Sequence, residues 1–152
     1  MKAYQIKDSG SLDGLVLGNL PEPTPGPGQI LVRVHAVSLN YRDLMIATGG
    51  YGGTTPPDRI PLSDGAGEVI EVGAGVSRVK AGDRVASIFF QTWLDGGIQA
   101  SYHASALGGA VDGMLAEYVV LSEEGVVTLP DYLTYEEGAS LPCAAVTAWN
   151  GL

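Results

Sequence analysis

Apolar and polar residues alternate with a period of two along most of this chain, the pattern of strands with one covered face. Lys2 to Ile6 and Gly14 to Leu20 read as a first pair of strands, parted by Asp8-Ser9-Gly10-Ser11. Pro21-Glu22-Pro23-Thr24-Pro25-Gly26-Pro27-Gly28 then interrupts pairing. Proline lacks the ladder donor and restrains the residue before it, so this stretch reads as a surface connector. The strongest strand follows, with Ile30, Val32, Val34 and Ala36 on one face and Arg33 and His35 on the other. Glu68 to Val72, Arg84 to Phe89, Leu115 to Leu121 and Gly125 to Leu129 repeat the pattern between turn-forming residues. Helical signals are short: Leu44 and Ile46 stopped by Gly49, a capping-box spacing at Thr134-Tyr135-Glu136-Glu137, and Pro142 opening a last helix.

Gly65 and Gly67 bracket a single alanine just where a strand begins, which predicts close backbone approach of the kind found at a barrel corner. With 22 glycines and nine prolines among 152 residues, many short strands joined by turns are expected, and the fold class is mainly β. A chain of this length buries roughly 68–70% of the surface it exposes unfolded, enough for one core. The net charge of −9, with no cluster of Lys or Arg, argues against nucleic acid or an anionic membrane as partner. The N-terminus has no apolar h-region and no apolar run approaches a membrane span, so a cytoplasmic location is expected. Cys143 is the one cysteine, which excludes an internal disulfide and every multi-cysteine metal motif.

An acidic residue, Gly-x-Gly, a strand ending in Val72-Gly73, then Lys80-Ala81-Gly82-Asp83-Arg84-Val85 form a succession that resembles the GroES-like catalytic domain of medium-chain dehydrogenases and reductases. The resemblance spans nearly the whole chain. It implies a partly open β-barrel with short helices over residues 1–130 and a helical linker over 131–152 leading toward a Rossmann domain. In zinc-dependent members the place of Asn40 holds a cysteine ligand, that of Arg42 a relay hydroxyl, and that of Ser63 a histidine ligand. Only Cys143 matches a ligand position. One soft donor of three does not hold a catalytic zinc, so no metal is expected. The four-cysteine structural loop is replaced by Phe90-Gln91-Thr92-Trp93-Leu94-Asp95-Gly96-Gly97.

These departures resemble the zinc-independent branch, which includes quinone oxidoreductases and enoyl or alkenal reductases. There the asparagine reaches the cofactor or the substrate carbonyl. The resemblance therefore implies Asn40 as the catalytic residue, and Asn40, Tyr41 and Thr147 as contacts to NADPH or NADH. Tyr51, Phe89, Phe90 and Trp93 are candidates for the pocket of a flat small-molecule substrate, with aromatic packing as the alternative use. Asp43 and Asp64 are expected to stand behind the pocket, without acid/base roles. His35 and His103 have no nearby base, nucleophile or ligand partner.

Neither Gly65-Ala66-Gly67 nor Gly50-Tyr51-Gly52 completes Gly-x-Gly-x-x-Gly, so nothing here is expected to grip a pyrophosphate tightly. The expectation is the catalytic part of a nicotinamide-dependent oxidoreductase, inactive alone, whose Rossmann domain is missing. A face around Leu141, Ala145 and Trp149 would then meet that domain or a second copy, giving a homo-oligomer. The alternative is a stand-alone GroES-like module that binds or oligomerises without catalysis. Cys143 is expected to be packed and unreactive.

Overall fold

The computed structural model describes residues 1–51 and 55–152; Gly52, part of a glycine pair considered above, lies outside them. Strands β1 (Lys2–Ile6) and β2 (Leu15–Asn19) form an antiparallel hairpin, Lys2 opposite Asn19 and Ile6 opposite Leu15. The remaining strands are β3 (Gln29–Ser38), β4 (Asp64–Val72), β5 (Arg84–Ser87), β6 (Tyr118–Ser122) and β7 (Val126–Thr128). They make one antiparallel sheet in the order β6-β3-β4-β5-β7. Among the described residues the two sheets do not close into a barrel, in keeping with the mainly β, partly open architecture expected.

Alternation predicts the faces of β3 correctly only up to its bulge. Val34 pairs with Gly67 but Ala36 with Ala66, so His35 is an extra residue. A bulge shifts the pleat by one position and exchanges the faces beyond it. Ile30, Val32 and Val34 therefore point into the main core with Val69, Val85, Leu107, Met114 and Val126, and beyond the bulge it is Val37 that joins them. Ala36 turns to the other face, where Ala66, Ala86, Leu129 and Ala139 form a second, smaller cluster.

That second face is covered by helix α2 (Tyr135–Ala139), entered through the predicted capping box: Thr134 N–H donates to Glu137 Oε2 at 2.8 Å. Alanines at 66 and 86 let the helix lie close. The Tyr135 ring stacks on His35 at 4.3 Å, and the Arg84 guanidinium carbon lies 4.5 Å from the Tyr135 ring centroid. The bulged histidine is thus part of a packing stack at the surface.

The predicted strand from Leu115 starts only at Tyr118. Residues 115–117 use their backbone otherwise: Leu115 accepts from Tyr4 N–H, and Glu117 N–H donates to Lys2, which ties the hairpin to the main sheet. The predicted strand to Phe89 ends at Ser87 because the chain turns away to meet residues 105–107, where Phe89 accepts from Leu107 N–H at 3.1 Å. A wide turn (Leu141–Ala145) and helix α3 (Val146–Gly151) follow α2.

Candidate active site

Helix α1 (Tyr41–Ala47) begins where β3 ends. Asn40 enters it in extended conformation, and its N–H donates to Asp43 Oδ2 at 2.8 Å. Asp43 is buried. Its Oδ1 has no hydrogen-bond partner and lies 3.9 Å from Arg42 Nη1. Burial pushes its carboxyl above the usual carboxylate range, against the pull of Asn40 N–H and of the Arg42 guanidinium.

A short strained turn delivers the second acidic residue. Leu62 is buried with φ +72°, an uncommon conformation for a branched side chain, costing on the order of 1–3 kcal/mol. Its carbonyl accepts from Met114 N–H at 2.8 Å, which holds the turn. Ser63 and Asp64 follow, both fully buried, with Ser63 Oγ donating to Asp64 Oδ1 at 2.7 Å. Asp64 Oδ2 accepts from Cys143 N–H at 2.9 Å. The carboxylate thus fastens the wide turn before α3 to the start of β4, tying residues 79 positions apart.

Beside these groups opens a cleft of about 1080 Å³, at the upper end of the range of roughly 300–1,000 Å³ common for small-molecule sites. Tyr51, Phe89, Phe90 and Trp93 all line it, as does Thr147 from α3. Phe90 packs edge-on to Phe89 at 4.6 Å between centroids and lies 5.8 Å from Trp93. Trp93 stacks on Tyr102 at 6.0 Å, while His103 meets Phe90 edge-on at 5.4 Å. The loop standing in the place of a structural metal loop thus supplies an aromatic wall, in which His103 is a further lining residue.

Asn40 and Tyr41 do not line the cleft. Tyr41 is 77% exposed on the outside of α1, and the Asn40 amide nitrogen is buried without a partner among the described residues. Cys143 departs from the packed thiol expected: it is half-buried and lines the cleft, because its turn is held by its backbone to Asp64 and not by side-chain packing. Burial first, and the Asp64 charge second, push its thiol above the ordinary range.

Arg42 was legible as a departure from a relay hydroxyl and, with Asp43, as the Arg-Asp pair usual after the asparagine in the zinc-independent branch, but not as a cleft residue. Its side chain lines the cleft, with the guanidinium carbon 4.4 Å from the Phe89 ring centroid and 5.1 Å from that of Tyr51. Among the described residues no group of three or more His, Cys, Asp or Glu is placed to hold a metal ion. No helix there is long and apolar enough to cross a membrane.

Residues 26–131 match the alcohol dehydrogenase GroES-like domain. The chain belongs to this family. It is 48% identical over 126 residues to a zinc-type alcohol dehydrogenase-like protein of Schizosaccharomyces pombe, covering 83% of this chain and 36% of that protein. Its fold superposes on a crystal structure of an NAD-dependent alcohol dehydrogenase with a TM-score of 0.85 at 32% identity, covering 99% of this chain and 46% of that one. The quinone oxidoreductase of Coxiella burnetii gives a TM-score of 0.80 at 30% identity, over 100% of this chain and 44% of that chain. This GroES-like chain therefore spans less than half the length of the relatives it matches, which are oxidoreductases of the alcohol dehydrogenase and quinone oxidoreductase type.

Proposed function

We propose that this chain is the substrate-binding, catalytic part of a zinc-independent, NADH- or NADPH-dependent oxidoreductase. Its reaction is hydride transfer to a quinone, an enone or another carbonyl compound. The observation that carries the reading is the cleft, which an aromatic cluster of Tyr51, Phe89, Phe90 and Trp93 lines together with Thr147 of α3. Aromatic lining suits a flat ring, and family membership supplies the redox chemistry.

The residues do not fit zinc. Asn40 offers an amide, Ser63 Oγ is spent on Asp64, and the Cys143 thiol is pushed away from the thiolate form a zinc ligand needs. No step is therefore assigned to a metal, and the zinc-type description of the yeast relative is not carried over. Of the chain's own groups Thr147, which lines the cleft, suits a nicotinamide best; Asn40, with its amide nitrogen buried outside the cleft lining, would reach the ring only if the start of α1 shifts when the cofactor domain docks, with Tyr41 further out on α1. A nicotinamide supplies the hydride when bound. The protein's part is to hold the ring plane, exclude water through the apolar wall and stabilise charge on the substrate oxygen.

The cytoplasm is the proposed location. The proposed partners are a small-molecule substrate, a Rossmann domain and, through the exposed face, a second copy. The reading is tested on protein carrying its cofactor domain, assayed with reduced nicotinamides against quinones, enones and aldehydes, with metal content measured in the same sample. Turnover by metal-free protein is expected. One zinc per chain surviving dialysis against a chelator, or activity lost with its removal, would overturn it.

A further inference from the structure

We propose that Arg42 receives the substrate's oxygen in the cleft, and that the substrate is accordingly a flat enone or quinone whose oxygen turns negative on reduction. This deepens the function proposed above and rests on it. The Arg42 side chain is only 10% exposed. Of its five N–H donors, the described residues use one, on Nη1, which donates to the Leu107 carbonyl at 2.9 Å. Nε is buried without a partner, and Nη2 has no acceptor among the described residues.

The nearest carboxylate does not absorb these donors. Asp43 Oδ2 is committed to Asn40 N–H, and its Oδ1 stays 3.9 Å from Nη1, too far for a hydrogen bond. Nη2 instead lies beside Gly109, a residue of the cleft wall, where an added Cβ would stand 2.8 Å from it. The missing side chain at 109 keeps that edge of the guanidinium clear. Rings of Tyr51 and Phe89 hold the fork, so its remaining donors suit an sp² oxygen of a substrate lying in the cleft.

Charge selects among oxygen-bearing substrates. With Nε and Nη2 of Arg42 unspent among the described residues, the site rewards negative charge on the oxygen it holds. It suits a neutral carbonyl that acquires charge during the reaction. A hydride reaching the β-carbon of an enone from a reduced nicotinamide brings two electrons, so that the nicotinamide is oxidised and the enone reduced. The C=C pair moves onto the α-carbon and the oxygen as an enolate, which Arg42 stabilises, and solvent then supplies the proton to the α-carbon.

The probe is 4-nitrophenol, an aromatic ring with an oxygen that is neutral or anionic according to pH and reports its own state by absorbance. It is titrated into the 152-residue protein, with intrinsic tryptophan fluorescence following binding. The wild type is expected to bind the phenolate over the phenol by about tenfold, the size of one charge-assisted hydrogen bond, so that bound probe ionises at lower pH than free probe. Arg42→Met should bind the ring with no such preference, and Arg42→Lys should keep part of it. Gly109→Ala, which keeps the arginine but puts a Cβ 2.8 Å from Nη2 and so pushes the fork off its position, should lose the preference while circular dichroism and the urea midpoint show a folded protein. Equal phenolate preference in the wild type, Arg42→Met and Gly109→Ala, or none in the wild type, overturns the role of Arg42 while leaving the cleft as a ring site. Failure of the wild type to bind the probe at all overturns the pocket as well.

Discussion

Replacing Gly67 by alanine tests whether the glycines flanking Ala66 are there for close packing. Gly67 sits opposite Val34 at the β3 bulge. A Cβ there would collide with the Arg33 carbonyl oxygen and stand 2.8 Å from Val32 Cγ1 and 2.9 Å from the Arg33 carbonyl carbon. Ordinary carbon contacts lie at about 3.5–4.0 Å, so β3 and β4 must part by several tenths of an ångström at least. Overpacking of this kind costs about 1–3 kcal/mol. Burying one methyl returns about 0.8 kcal/mol, and the stiffer unfolded chain about 0.4–1 kcal/mol. The carbonyl is backbone in the middle of a paired sheet and cannot rotate aside, so the overpacking cost should lie at its upper end of about 3 kcal/mol, leaving a net loss of about 1–2 kcal/mol. For a domain this size that is a fall of roughly 2–8 °C in Tm. The assay is urea unfolding followed by circular dichroism, read as a lower midpoint at unchanged slope. Gly97→Ala is the control, because nothing lies within 4 Å of a Cβ there and its backbone is not left-handed; it should change stability by less than about 0.5 kcal/mol. A Gly67→Ala midpoint equal to or above the wild type's would refute the close-packing account.

The Asp43 carboxyl, raised mainly by burial, binds its proton more tightly in the folded than in the unfolded chain. Its contribution to stability is therefore complete below the unfolded value near pH 4 and is lost as pH rises through the raised native value. Asp43→Asn should gain stability relative to the wild type across that interval, and parallel stability-pH curves would contradict the assignment. The Cys143 thiol should label more slowly than a free cysteine near neutral pH, and Asp64→Asn, which removes the second cause of its raised value, should speed labelling; no change would remove Asp64 as a cause. This chain should bind NADPH only weakly and should self-associate through the face where Trp149 is 83% exposed beside Leu141 and Val146. Nicotinamide fluorescence with sedimentation on the same sample checks both, and micromolar binding by a clean monomer would contradict them.

Most of the fold was legible because strands with one covered face write their own period into the chain. The hairpin, the long strand at residue 29, the strand after the paired glycines and the capping box all follow from local pattern and turn chemistry. The aromatic wall was legible as a cluster of residue types, Asn40 and Ser63 as substitutions at family positions, and Cys143 as a match to one. What alternation could not show is the extra residue at His35, since a bulge depends on how two strands pair and leaves no mark in either alone. Nor could it show that Leu115 would bond β1 and that Glu117 would be shared, its N–H donating to Lys2 of β1 and its carbonyl accepting from Val34 of β3, a division between partners far apart in sequence. The cleft belongs to the same class. Arg42 meets Leu107, Phe89 and Gly109 only because β3, β5 and the loops beyond them converge there, and Asp64 meets Cys143 only because the chain returns after 79 residues. Periodicity fixes which way a side chain faces within its own element, whereas which groups share a buried space is decided by the packing of elements together, and with it the charge environment that sets their chemistry.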